Sequence, residues 1–312
     1  MLYTYQVGDF IFDLEMPAGL PIPEDMKLFE LPGVDGSEDM RLFELPEVKA
    51  SAGVSPYHYR MTIVEALTYP SPEQAEEENL SCFAQREDLL VLTDADGREV
   101  RYIGIRGQRE HYACCREAAE DMTEIFFVEA YLNHLPIMTI FASLLSLERR
   151  MIERDSLILH SAYLDHEGRA ILFSAPSETG KSTQAGLWEK YRGSRTVNGD
   201  RSLLIKRGGI WTANGWPVCG SSEICHNETR TIRAIVMLSQ ASQNHCEHLS
   251  PGRAFALIYS QITINGWNPA HASHAMELIE DLITCVPVYH LACNISEDAV
   301  RCLEEALEGG GE

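Results

Sequence analysis

The chain has 312 residues, 45% of them hydrophobic and 23% charged, an ordinary globular composition with room for two cores. Its formal net charge is −22, and residues 1–150 hold most of the acidity, with 12 Lys/Arg against 28 Asp/Glu. Such a surface repels nucleic acid and anionic lipid, which argues against nucleic-acid and membrane-surface partners but leaves room for one anionic ligand in a local pocket.

Met1 to Phe12 lack a basic n-region and an apolar h-region, so the sequence predicts no secretory signal. Tyr3–Val7 and Asp9–Phe12 read as strands around a Gly8-Asp9 turn. A local duplication follows. Glu24-Asp25-Met26-Lys27-Leu28-Phe29-Glu30-Leu31-Pro32 returns as Glu38-Asp39-Met40-Arg41-Leu42-Phe43-Glu44-Leu45-Pro46, which reads as an insertion in a loop or edge hairpin, or as a docking patch. Strands resume at Tyr59–Glu65, Leu89–Thr93 and Val100–Ile105, the last two joined by the turn Asp94-Ala95-Asp96-Gly97. From Arg116 to Arg150 the pattern reads as helical, split or kinked at Pro136. Glu129, Asn133, His134 and Pro136 interrupt its longest apolar stretch, Ile125 to Leu147, which suits a buried helix rather than a membrane span.

From Ser156 the character changes to alternating strands and helices. Leu157–Leu164 and Arg169–Ser174 read as buried strands joined at Asp165-His166-Glu167-Gly168. Short strands are expected at 196–198, 202–206, 210–212, 232–238 and 287–291, with helices at 251–262, 271–284 and 296–308. Nine cysteines, an odd number with no small-domain framework, read as reduced thiols in a cytoplasmic chain. Cys219, Cys225 and His226, and likewise His245, Cys246 and His248, lack the Cys-x-x-Cys pairing of a tetrahedral zinc site.

The chemistry concentrates after the second of these strands. Ala175-Pro176-Ser177-Glu178-Thr179-Gly180-Lys181-Ser182-Thr183 follows a strand and opens a helix, matching G-x-x-x-x-G-K-[ST] except that Ala175 replaces the first Gly. In that context backbone N–H groups face one anion, Lys181 reaches the β- and γ-phosphates, and the Ser182 hydroxyl is placed to ligate Mg²⁺. An ordinary strand–turn–helix connection explains Pro176 and Gly180 but leaves a Lys at the positive end of a helix uncompensated. Two companions lie nearby. Asp200 in Asn198-Gly199-Asp200 can hold Mg²⁺ or take the proton of an attacking hydroxyl, and His160 sits on the strand before the loop; read alone, the first is a common turn and the second a core histidine.

These residues come in a set order. Leu159-His160-Ser161-Ala162, the Gly168 turn, Phe173–Ser177, Thr179–Gln184, Leu187-Trp188, Asn198–Arg201, Gly215-Trp216-Pro217-x-Cys219-Gly220 and Val286-Pro287-Val288-Tyr289-x-Leu291-x-Cys293 follow one another. Over about residues 150–308 this resembles the bacterial HPr kinase-related proteins, whose catalytic domain has a phosphoenolpyruvate carboxykinase-like nucleotide-binding fold. The resemblance implies an ATP- and Mg²⁺-dependent hydroxyl kinase acting on a serine of a small protein or peptide. It places His160 near the transferred phosphate, Lys181 and Ser182 on phosphate and metal, and Asp200 as base. Gly199 stands where such kinases carry the first Asp of an acidic pair, which weakens a reverse, phosphorolytic activity. Glu178 stands where related loops carry Gly.

The expected fold class is therefore α/β. A C-terminal phosphoenolpyruvate carboxykinase-like P-loop domain with a mixed or mainly antiparallel β-core (151–312) follows a helical connector (116–150) and a smaller β-rich acidic N-terminal domain (1–115). A kinase of a free small alcohol or amino acid is the alternative within enzymes, and a nucleotide-binding regulator without turnover is the alternative outside them. The sequence leaves the acceptor and the oligomeric state open.

Overall fold

The computed structural model describes residues 1–32, 56–108 and 110–309. The second copy of the duplication, Glu38–Pro46, lies outside these residues. The chain is mixed α/β with two eight-stranded sheets, and it divides into Met1–Leu145 and Ser146–Glu312.

The first unit holds β1 (Leu2–Val7), β2 (Phe10–Glu15), α1 (Glu24–Lys27), β3 (Tyr57–Val64), α2 (Pro72–Glu77), β4 (Ser81–Arg86), β5 (Leu89–Thr93), β6 (Glu99–Gly104), β7 (His111–Ala119), β8 (Met122–Val128), a 3₁₀ turn Glu129–His134 and α3 (Met138–Leu145). The sheet order is β1-β2-β3-β8-β7-β6-β5-β4; β2–β3 and β3–β8 are parallel and the other pairs antiparallel. Period-2 alternation is visible in β2, where Phe10, Phe12 and Leu14 are buried. The first copy of the duplication is not a free patch. Its Met26 and Phe29 are buried, and its backbone pairs along β1, with Gln6 N–H donating to Phe29 O and Leu31 N–H to Thr4 O, so it covers an otherwise open sheet edge.

The expected helix from Arg116 needs correcting. Residues 116–128 belong to β7 and β8, and helix begins only at α3, beyond the turn that holds Pro136. The Arg-Glu-Ala-Ala-Glu run has helical propensity. Strand wins because β7 is paired along both edges, with β6 and β8, and β8 lies between β7 and β3.

The second unit holds α4 (Leu147–Ile152), β9 (Ser156–His166), β10 (Arg169–Ser174), α5 (Lys181–Arg192), β11 (Arg195–Asn198), β12 (Arg201–Arg207), β13 (Ile210–Asn214), β14 (Thr229–Gln240), β15 (His245–His248), α6 (Pro251–Tyr259), α7 (Pro269–Cys285), β16 (Val288–Cys293) and α8 (Glu297–Gly309). Pairing runs β10-β9-β12-β13-β14 and returns to β10, so five strands close into a ring; β16 and β15 extend from β14, and β11 pairs β9. β10, β14 and β16 run parallel, and their carboxyl ends share one edge. Alternate residues of β9 and β10 feed two cores. Leu157, Leu159, Tyr163, Ala170 and Leu172 pack with α6 and α7 residues, while Ala162, Leu164, Ile171 and Phe173 pack with α5 and α8 residues. No helix among the described residues is long and apolar enough to cross a membrane.

Candidate active site

Residues 175–180 carry the chain from β10 into α5. The loop is a turn in which Thr179 N–H approaches Pro176 O at 3.4 Å. Two of its residues take left-handed backbone conformations: Glu178 at φ +64° and Gly180 at φ +113°. Glycine suits the second without strain. At the first, a glutamate occupies a conformation that costs an L-residue about 1–2 kcal/mol. Pro176, Ser177 and Glu178 are exposed, Ala175 is buried, and Ser182 and Thr183 are exposed in the first turn of α5.

Lys181 is 8% exposed, and its Nζ donates to Ala175 O at 3.1 Å and Pro176 O at 3.5 Å. Burial pulls the ammonium below the usual lysine range, Asp200 pulls it back up, and Arg201 lowers it. Among the described residues no side chain caps the N-terminus of α5, so its first backbone N–H groups stay available to an anion. A nearly buried cation and an uncapped positive helix end therefore face the same loop.

Antiparallel pairing brings the companions to this edge. Ser174 of β10 lies opposite Ser161 of β9, and His160 of β9 lies opposite Arg201 of β12. His160 thus sits level with the start of the loop, and Asp200 precedes β12 beside it. His160 Nε2 is 3.4 Å from Asp200 Oδ1, and Arg201 Nε is 3.2 Å from Asp200 Oδ2. The His160 contact, then Arg201 and Lys181, hold the Asp200 carboxyl below the ordinary carboxylate range against the opposing effect of burial.

Asn198 fixes the backbone of this group. It is fully buried, its Oδ1 accepts from the N–H groups of Asp200 and Arg201 at 2.9 Å each, and its Nδ2 donates to Trp216 O at 2.7 Å. Gly199 is equally constrained. A Cβ built there would lie 2.0 Å from Ser222 Oγ and 2.3 Å from Ser222 Cβ, so the segment after β13 fills the space a side chain at 199 would need. The single carboxylate is a packed feature of this site.

Sequence reasoning gave no role to four contributors. Arg201 bridges Asp200 and Thr263, whose Oγ1 accepts from its guanidinium. Asn198 and Ser222 are the second and third. The fourth is Gln240, at the end of β14, whose Nε2 lies 3.4 Å from both Glu178 O and Thr179 O. Only the parallel pairing of β14 with β10, across a long sequence gap, puts Gln240 there. Among the described residues no group of three or more His, Cys, Asp or Glu converges as a metal site. Mg²⁺ bound through a nucleotide needs only one or two protein ligands and takes the rest from phosphate and water.

Fold and site together define a mixed α/β protein with a glycine-lysine-serine loop facing a His–Asp–Arg group. The chain belongs to the family described as SynChlorMet cassette protein ScmC, whose model matches residues 129–308. A solved structure of the HPr(Ser) kinase/phosphatase from Coxiella burnetii is similar to it at 12% identity, covering 49% of this chain and 93% of that one, with a TM-score of 0.29. At that TM-score the likeness transfers no residue role. No curated protein matches the chain.

Proposed function

We propose that this chain is an ATP- and Mg²⁺-dependent kinase that phosphorylates a hydroxyl, with a serine of a small protein or peptide as acceptor. The observation that carries the reading is that Lys181, His160 and Asp200 meet at one end of the ring sheet, beside an uncapped helix N-terminus. The residues fit a polyanion. Among the described residues the Lys181 ammonium has only loop carbonyls as hydrogen-bond partners, and a triphosphate would compensate both its charge and the helix end.

Residues 175–183 would wrap the phosphates with backbone N–H groups, and Lys181 would neutralise the β- and γ-oxygens. Ser182 would hold Mg²⁺, which would supply charge neutralisation at the phosphates when bound. Asp200, ionised at neutral pH, accepts a hydrogen bond from the acceptor hydroxyl and orients it. Little basicity is needed in a loose phosphoryl-transfer transition state, where the proton leaves late. His160 and Arg201 hold the carboxylate from two sides.

A regulator that binds nucleotide without turnover is the second reading. The strained, anionic Glu178 beside the phosphates favours it. Asp200→Asn separates the two. The substitution keeps shape and removes the charge, so a kinase loses at least about a hundredfold in ADP release with a hydroxyl acceptor while Mg-ATP affinity stays within a few-fold. A parallel fall in affinity assigns Asp200 to the metal. Unchanged ADP release in the variant rejects the catalytic role.

A further inference from the structure

The orientation of the phosphates sets where the nucleoside must go. His160 and Asp200 lie on the β9–β12 side of β10, so the reacting end of a triphosphate held by the loop points that way. The rest of the nucleotide must leave over the opposite side, across the carboxyl ends of β14 and β16, which run parallel to β10. Ligands of such sheets bind outside the carboxyl ends of parallel strands. Two inter-strand spacings separate β10 from β16, about 10 Å, the scale on which a base stands from its β-phosphate.

A braced apolar residue lies there. Ile295, in the short loop between β16 and α8, is 76% exposed, the most exposed large apolar residue among those described. It is not on a loose tip. Asn294 N–H donates to Asn244 Oδ1 at 2.9 Å, Asn294 Nδ2 donates to Ser242 O at 3.0 Å, and Ala241 N–H donates to Cys293 O at 2.9 Å. Asn244 Nδ2 reaches Ser296 Oγ at 3.3 Å, and Ser296 Oγ donates to Asn294 Oδ1 at 2.5 Å. Gln184, one turn beyond Lys181 on α5, donates to Asn294 O at 3.0 Å and ties this loop to the phosphate-loop helix. The loops after β14 and β16 thus form a cross-braced block that holds an isoleucine in water beside that helix. What is particular to Ile295 is its place: a braced apolar side chain beside that helix, able to gain by being covered.

We infer that Ile295 is the platform for the nucleobase of the bound nucleotide, with the 241–244 segment beside it. The inference rests on the reading of residues 175–183 as a triphosphate site. The polar side chains of the block, Asn244, Asn294 and Ser296, are engaged with one another, so the base is held by its apolar face and not read at its hydrogen-bonding edge. The site therefore accepts ATP and GTP with similar affinity, because strong discrimination needs polar groups dedicated to the base edge.

Titration calorimetry with ATP, GTP and inorganic tripolyphosphate, each with Mg²⁺, tests this on the full chain and on Ile295→Ser and Ile295→Leu. Ile295 is exposed, so neither change threatens the fold. Wild type is expected to bind ATP and GTP within about threefold of each other and both more tightly than tripolyphosphate. Ile295→Ser should weaken both nucleotides roughly fivefold, about 1 kcal/mol, and leave tripolyphosphate unchanged, while Ile295→Leu keeps wild-type affinities. Equal ATP affinity in wild type and Ile295→Ser overturns the base platform alone, as does a hundredfold preference for one base. A wild-type chain that binds neither tripolyphosphate nor ATP overturns the phosphate-loop reading, and this inference with it.

Discussion

Glu178 carries the clearest strain at the site. Its φ of +64° is the conformation that Gly adopts freely, and its carboxylate stands on the loop that would meet phosphate. Glu178→Gly relieves that strain in the free and bound loop alike, so its effect on affinity comes from the lost like charge beside the phosphates, against about 0.5–1 kcal/mol of added loop entropy. Mg-ATP affinity should rise by roughly twofold or more in calorimetry. A weaker complex would give Glu178 a positive role, in orienting a cation or the acceptor. Asp200 gives a pH signature. Its folded pKa lies below the unfolded value of about 3.9, so its contribution to stability is present above that pH and is lost as pH falls through the folded value. Asp200→Asn should flatten the dependence of urea-unfolding stability on pH below about 4 and leave stability at pH 7 without a titration step. An unchanged acid limb would show that the carboxylate is not held by its neighbours.

The loop at 175–180 is held by α5 and the strand beneath it. Trp188 is fully buried, with Phe173 of β10 at 6.4 Å between ring centroids and His166 edge-on at 5.0 Å. Trp188→Ala should cost about 3–5 kcal/mol in denaturant unfolding. Trp188→Phe should cost much less, because it also removes a buried indole N–H that has no hydrogen-bond partner. Similar losses in the two variants would mean that volume is not what this position supplies. Elements were legible where their signal was local. The Arg169–Ser174 strand, the helix after Gly180 and the hairpin at Asp94–Gly97 all follow from period, glycine and turn chemistry. β7 and β8 were not legible, since pairing on both edges overrides a helical composition, and β4 and β15 were missed as short strands with little alternation. The same split holds at the site. Lys181 and Ser182 are read from a local motif and His160 and Asp200 from their place in the ordered set, whereas Arg201, Asn198, Ser222 and Gln240 act through partners that only strand pairing or a distant loop brings near.

At the scale of the whole molecule, the charge of −22 and the Lys181 ammonium pull in opposite directions. The acidic chain slows the approach of an anionic nucleotide, and added salt screens that repulsion, so association should quicken as ionic strength rises toward 0.15 M, where the Debye length is about 8 Å. Stopped-flow binding of a fluorescent ATP analogue would show it, and a rate that falls steeply with salt would mean that local positive charge dominates the encounter. Everything proposed for this chain depends on Lys181 and the helix end behind it receiving a triphosphate. The decisive measurement is therefore calorimetric titration of Mg-ATP into wild type and Lys181→Ala at pH 7.5. Wild type is expected to bind saturably, one to one, and the variant at least tenfold more weakly, about 1.4 kcal/mol or more, with the fold intact by circular dichroism. Equal ATP affinity in the two proteins would contradict this.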